Sequence, residues 1–221
     1  MRRMSLLRFS SILLIVTLLL NAAVPAAAQD PKPATEPRTE GISYGFLIDN
    51  SGSFRKILED VIQFVGKVLD EQKPDDESFF VRFVDTQKIK LDQDLTSDAA
   101  QVRDSAENMY IEGGKTAVLD AIRVAGNYLA ENGKSANASR RSLLIVTDGD
   151  DAASVTKPEQ AIKILKDAGI RLIAVAVSDE KVQTKLLDRM ARETGGKLFV
   201  LRHKGELRTI GGEVAAALRK P

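Results

Sequence analysis

The stretch ISYGFLIDNSGSF, residues 42–54, decides how the rest of the chain is read. Ile42–Ile48 is an apolar run of strand length. It ends in Asp49, Ser51 and Ser53 at alternate positions, with Gly52 among them. A strand–turn–helix junction needs one capping residue at such a point, yet this one sets out a carboxylate and two hydroxyls. Beyond it, Ile57, Leu58, Val61, Ile62, Val65, Val68 and Leu69 recur at helical spacing, predicting a helix over 54–71.

Working outward, the same alternation continues. Strands are expected at Ser78–Val84, Lys88–Leu91, Ser142–Val146, Ile170–Val177 and Lys197–Leu201. Helices are expected at Ser97–Met109, Thr116–Glu131, Pro158–Ala168, Lys181–Glu193 and Glu206–Leu218. Pro158 suits a first helical turn, and Gly195-Gly196 closes the helix Lys181–Glu193, the fifth along the chain. Leu143–Val146 and Leu172–Val177 are apolar throughout, as strands covered on both faces should be. Strands alternating with helices predict a doubly wound, Rossmann-like α/β domain. Its central sheet is mostly parallel, with helices on both faces and Lys88–Leu91 as an antiparallel edge strand.

The N-terminus reads as an export signal over residues 1–28. Arg2, Arg3 and Arg8 precede the apolar run Ile12–Leu20, and Ala26-Ala27-Ala28 forms a small-residue cleavage pattern before Gln29. The alternative, an uncleaved anchor, would need a longer apolar core. Export places the mature chain in the periplasm or outside the cell, and cleavage leaves no membrane span. Residues 29–40 carry Pro31, Pro33 and Pro37 and read as an extended linker, followed by one domain over 41–221.

Composition excludes several classes. The chain has 221 residues, 43% of them apolar, and a formal charge of +1, so nothing favours nucleic acid as a partner. Without cysteine there are no disulfides, thiol nucleophiles or thiol-attached lipid anchors. A lone histidine, His203, provides neither a zinc set nor a Ser-His-acid triad. "GGKT" at 113–116 lacks the leading glycine of a phosphate loop, which argues against a nucleotide. Asn137-Ala138-Ser139 matches a glycosylation sequon.

In an open parallel sheet, ligands bind outside the carboxyl ends of the strands, where strand order reverses. Two carboxylates, Asp49 and Asp148, and three hydroxyls, Ser51, Ser53 and Thr116, fall on such loops. This all-oxygen set suits Mg²⁺, Mn²⁺ or Ca²⁺. Asp150 and Asp151 read as solvated loop acids. Asp120 is either an acceptor behind the site or a polar position on its helix, and Phe54 is expected to pack. Taken singly, each serine or aspartate also suits a cap or an Asx turn.

On these residues the chain resembles the von Willebrand factor type A domains. Their metal-ion-dependent adhesion site follows D-x-S-x-S, then a distant T, then a distant D before G. Here the pattern falls on Asp49, Ser51, Ser53, Thr116 and Asp148, and "GGKTAVLDAI", "LLIVTDGDD" and "TGGKLFVL" look like the family's flanking segments. The resemblance implies direct metal contact by the serines and threonine, with the two aspartates acting largely through water. It also implies a protein ligand offering a Glu or Asp carboxylate. The expected function is therefore a non-enzymatic, cation-dependent adhesion module. The alternatives are an envelope assembly subunit with a vestigial site, or a metal-dependent hydrolase. In some relatives the last helix moves on binding; here little built-in switching is expected.

Overall fold

A computed structural model describes residues 41–134, 140–177 and 184–220. The signal and linker segments, the sequon and the first residues expected for the fifth helix lie outside these. The described strands are β1 (Ile42–Asp49), β2 (Glu77–Phe83), β3 (Ile89–Thr96), β4 (Arg140–Thr147), β5 (Ile170–Ala176) and β6 (Lys197–Val200). The helices are α1 (Leu58–Leu69), α2 (Ala99–Glu107), α3 (Val118–Asn132), α4 (Pro158–Asp167), α5 (Lys185–Glu193) and α6 (Leu207–Arg219). Among the described residues no helix is long and apolar enough to cross a membrane.

The sheet order is β3-β2-β1-β4-β5-β6, with every pairing parallel except β2 with β3. Alternation along each buried strand builds two cores. Phe46 and Ile48 of β1, Leu144 and Val146 of β4, and Ile173 and Val175 of β5 face α1, α2 and α6. Leu47, Leu143, Ile145, Leu172 and Ala174 face α3, α4 and α5. Period-2 strands buried on both sides are why these runs lack polar residues.

Two elements differ from the sequence reading. The helix expected from residue 54 begins as a 3-10 turn, Gly52–Lys56, and α1 starts only at Leu58. Phe54, 1% exposed, anchors that turn in the core, so the tighter coil is set by packing. β3 extends to Thr96, beyond the expected Leu91. Its polar half is held by side chains from elsewhere: Arg82 pairs with Asp92 at 2.6 Å and the Tyr128 hydroxyl donates to Asp94 at 2.9 Å. A local pattern could not report those partners.

The carboxyl end of α6 is anchored by cations, which suits the negative end of a helix dipole. The Arg171 guanidinium donates to the Leu218 carbonyl at 2.6 Å, Arg140 donates to the Arg219 carbonyl, and Arg219 pairs with buried Asp76. Strand order reverses between β1 and β4, so the crevice beyond their carboxyl ends is where this architecture places a ligand.

Candidate functional site

Asp49 is the last residue of β1 and is fully buried. Its Oδ1 accepts the Ser51 amide at 2.9 Å, and its Oδ2 accepts the Thr147 hydroxyl at 2.8 Å. Burial pushes the carboxyl up to about 6; hydrogen bonds from Ser51 and Thr147 oppose that rise, and the charge of Asp148 adds to it. Asp148 therefore lies within electrostatic reach. It follows β4, partly exposed, and its Oδ1 accepts the Asp150 amide at 3.1 Å. Gly149, at φ 82, takes the left-handed turn that brings its amide to the Thr147 hydroxyl at 3.1 Å. Neither Asp49 nor Asp148 has a cationic side chain within ion-pair distance among the described residues.

The Ser51 and Ser53 hydroxyls lie 3.0 Å apart, the first buried and the second exposed. Thr116 is buried just ahead of α3, and its carbonyl accepts the Ala152 and Ala153 amides at 2.9 and 3.0 Å. That contact ties it to the loop carrying Asp148. The Thr116 hydroxyl takes no hydrogen bond among the described residues. The fold thus links Asp49 to Ser51 and Ser51 to Ser53 by hydrogen bonds and sets Asp148 close enough for its charge to act on Asp49. It seats Thr116 on the adjoining loop, where among the described residues its side chain shares no hydrogen bond with the other four.

Asn50 joins three segments. Its amide donates to Phe83, its carbonyl accepts from Glu112, and its Nδ2 donates to the Tyr110 carbonyl at 3.1 Å. Its Oδ1 is buried without a protein partner. Arg82 holds the same 110–112 segment by pairing with Glu112 and stacking 4.5 Å from the centre of the Tyr110 ring. Gly114, at φ 132, then turns the chain toward Thr116 where any Cβ would strike Val84 at 2.6 Å.

Behind the crevice lies a second polar cluster. Asp120 is fully buried and accepts the Thr86 hydroxyl at 2.5 Å, the Val155 amide at 3.1 Å and both the amide and hydroxyl of Thr156, at 2.9 and 2.5 Å. Burial alone would raise its pKa, but these bonds together hold the carboxyl below its ordinary range. Its role is thus to clamp the loop after β4 onto α3. Asp151, expected to be solvated, is partly buried and accepts the Val118 amide at 2.9 Å, capping α3 from outside the helix. Ser154 donates to Asp151 at 2.6 Å and accepts the Leu119 and Asp120 amides at 3.0 and 3.1 Å.

Sequence reasoning passed over Thr147, Ser154, Thr86 and Arg82. The one signal in reach was the density of Ser, Thr and Asp across 147–156, too many for a single turn. Among the described residues no three His, Cys, Asp or Glu side chains converge as a metal set, so any cation here would rely on hydroxyls. The donors present fit that case: hard oxygens beside a buried carboxylate that lacks a counter-charge.

An open, mostly parallel α/β sheet with helices on both faces and a point of strand reversal is a doubly wound domain. The chain belongs to the von Willebrand factor type A domain family, which it matches over residues 45–212. Domains of this family serve as protein-interaction modules. Solved structures that share the fold include the following three. A von Willebrand factor type A protein from Catenulispora acidiphila has TM-score 0.70 and 16% identity, over 81% of this chain and 43% of that one. The conserved hypothetical protein BatB from Bacteroides thetaiotaomicron has TM-score 0.65 and 16% identity, over 81% of this chain and all of that one. Proximal thread matrix protein 1 from the mussel byssus, with zinc in its metal-ion-dependent adhesion site, has TM-score 0.66 and 17% identity, over 79% and 47% of the two chains. Comparison with curated proteins gives no match.

Proposed function

We propose that this chain is an exported, non-enzymatic module that binds a protein ligand's Glu or Asp carboxylate through a divalent cation. Mg²⁺ is the favoured ion, with Mn²⁺ or Ca²⁺ as substitutes. Asp49, Ser51, Ser53, Thr116 and Asp148 would hold it. The carrying observation is Asp49: a fully buried carboxylate, pushed up to about 6, with no cationic side chain in ion-pair reach among the described residues. A cation would supply the missing counter-charge, and the neutral hydroxyls would leave it attractive to a ligand's carboxylate. The zinc-occupied adhesion site of the mussel protein supports the reading by family likeness. The export signal at residues 1–28 supports a periplasmic or extracellular location. The lone His203, exposed and 3.2 Å from Glu206, supports a binding role over hydrolysis.

Titrating Mg²⁺ or Mn²⁺ against thermal unfolding tests this. An ion at a hundredfold its Kd stabilises a folded protein by about 2.7 kcal/mol. For a domain of this size that raises the melting temperature by roughly 5–10 °C. Thr116→Ala is the informative variant, because its hydroxyl has no hydrogen-bond partner among the described residues and its loss costs the fold little. It is expected to keep the metal-free melting temperature while losing most of the ion-induced rise. Identical ion responses in both proteins would remove Thr116 from the ligand set, and a flat response in the parent chain would sink the reading.

A further inference from the structure

Beside the candidate site, the starts of α1 and α6 meet in a corner rich in cations. Arg55 and Lys56 follow two and three residues after Ser53, on the 3-10 turn ahead of α1. Arg202, His203 and Lys204 lie on the loop ahead of α6, which leaves the carboxyl end of β6 on the same edge of the sheet as Asp49. The Lys204 ammonium donates to the Lys56 carbonyl at 3.1 Å and joins the two segments. Arg208 is taken up by Asp60 at 2.5 Å, and Glu206 is engaged by His203 at 3.2 Å. Glu59, also at the start of α1, accepts from Gln63 at 2.9 Å. The Arg55, Lys56 and Arg202 side chains are exposed and form no ion pair among the described residues, although the Arg202 backbone amide donates to Glu206 at 3.3 Å.

Lys204 and Arg208 tie the two segments together, but the Arg55, Lys56 and Arg202 side chains make no such link among the described residues. Cations at helix N-termini oppose the helix dipole, and both helices begin here. Unpaired charges that cost stability, set beside a site built for a carboxylate, are explained by an anionic partner.

We propose that this cationic corner docks an acidic stretch of the protein ligand flanking the carboxylate directed at Asp49 and Asp148. It rests on the function proposed above and specifies the ligand class: a segment with several Asp or Glu residues. The interspersed acids Glu59 and Glu206 suit a peptide, which can avoid them, better than the uniformly anionic face of a bilayer.

The test compares two fluorescent peptides of equal length, one with six glutamates and one with a single glutamate among Gly and Ser. Binding is followed by anisotropy, with Mg²⁺ and with chelator, for the parent chain and for Lys56→Glu/Arg202→Glu. Both side chains are exposed and unpaired, so the double variant should fold, as circular dichroism would verify. The parent is expected to prefer the six-glutamate peptide on the order of tenfold, as a few exposed charge pairs allow. That preference should shrink with added salt and fall to about onefold in the double variant. A preference that survives in the double variant overturns the corner. Loss of preference together with binding that ignores chelator keeps the corner and sinks the metal reading alone. If vesicles containing phosphatidylserine displace the six-glutamate peptide, and do so less from the double variant, the assignment to a peptide is overturned in favour of an anionic surface.

Discussion

Replacing Asp120 by alanine is expected to lower the melting temperature by roughly 10 °C, the largest loss of stability for any side chain around the site. The carboxylate accepts four hydrogen bonds, from Thr86, Val155 and both donors of Thr156. Alanine would strand those donors where water is scarce, and each unsatisfied buried group costs about 1–3 kcal/mol. Part of that is recovered as the 153–156 loop loosens toward solvent, so a net loss of about 4 kcal/mol is expected. A domain of this size loses about 2–4 °C per kcal/mol. Asp120→Asn should cost less, because one oxygen still accepts while the new amide faces donors. The pH dependence carries the same signature. A carboxyl whose folded pKa is depressed stabilises the fold above its unfolded value of 3.8, and that contribution is lost as pH falls through the lower folded value. Urea unfolding between pH 3 and 7 reads both effects. A loss under about 1 kcal/mol for Asp120→Ala would mean that the clamp is not holding the loop.

Asp49→Asn is expected to act with opposite signs in two conditions. The carboxyl of Asp49 is raised from 3.8 to about 6, a difference worth about 3 kcal/mol. Because its folded pKa is raised, its contribution to stability is fully present below pH 3.8 and is lost as pH rises through about 6. At neutral pH without a divalent ion, the parent therefore carries an uncompensated buried charge. Asparagine keeps the shape and can still accept the Ser51 amide while donating to Thr147. With chelator at pH 7.5 the variant should be more stable than the parent, by up to about 3 kcal/mol. Near pH 4 the two should converge. With saturating Mg²⁺ the order should reverse, because only the parent gains from the ion. Melting curves for both proteins, at two pH values and with Mg²⁺ or chelator, show the crossing. An Asp49→Asn protein less stable than the parent under chelator at pH 7.5 would refute the buried-charge account.

The two aspartates differ for a physical reason that the sequence does not display. Both are fully buried, yet Asp120 collects donors from a loop that closes over it, while Asp49 has one amide, one hydroxyl and a second acid nearby. Burial penalises both charges equally in kind; the number of donors decides which one stays ionised with ease.

Much of the fold was legible along the chain. Apolar runs with period two and helical faces with period near four are local properties, and they determined the strand–helix alternation, the two-faced burial of β4 and β5 and the antiparallel edge at β3. The oxygen-bearing residues Asp49, Ser51, Ser53, Thr116 and Asp148 stood out along the chain as residues just after strands or just ahead of a helix, and the fold joins the first three by hydrogen bonds. Other features depended on partners that no local window contains. Thr147 reaches Asp49 across 98 residues, Asp151 caps a helix 33 residues upstream, and Lys204 meets Lys56 across 148. Strand register and helix docking set those meetings, and neither is a property of a residue's own neighbourhood. So the sequence by itself determined the layers and the chemistry offered at their edge. Tertiary packing alone decided which acid is left without a counter-charge, which is clamped, and where unpaired cations gather, because solvation and pairing are set by what the folded chain brings alongside.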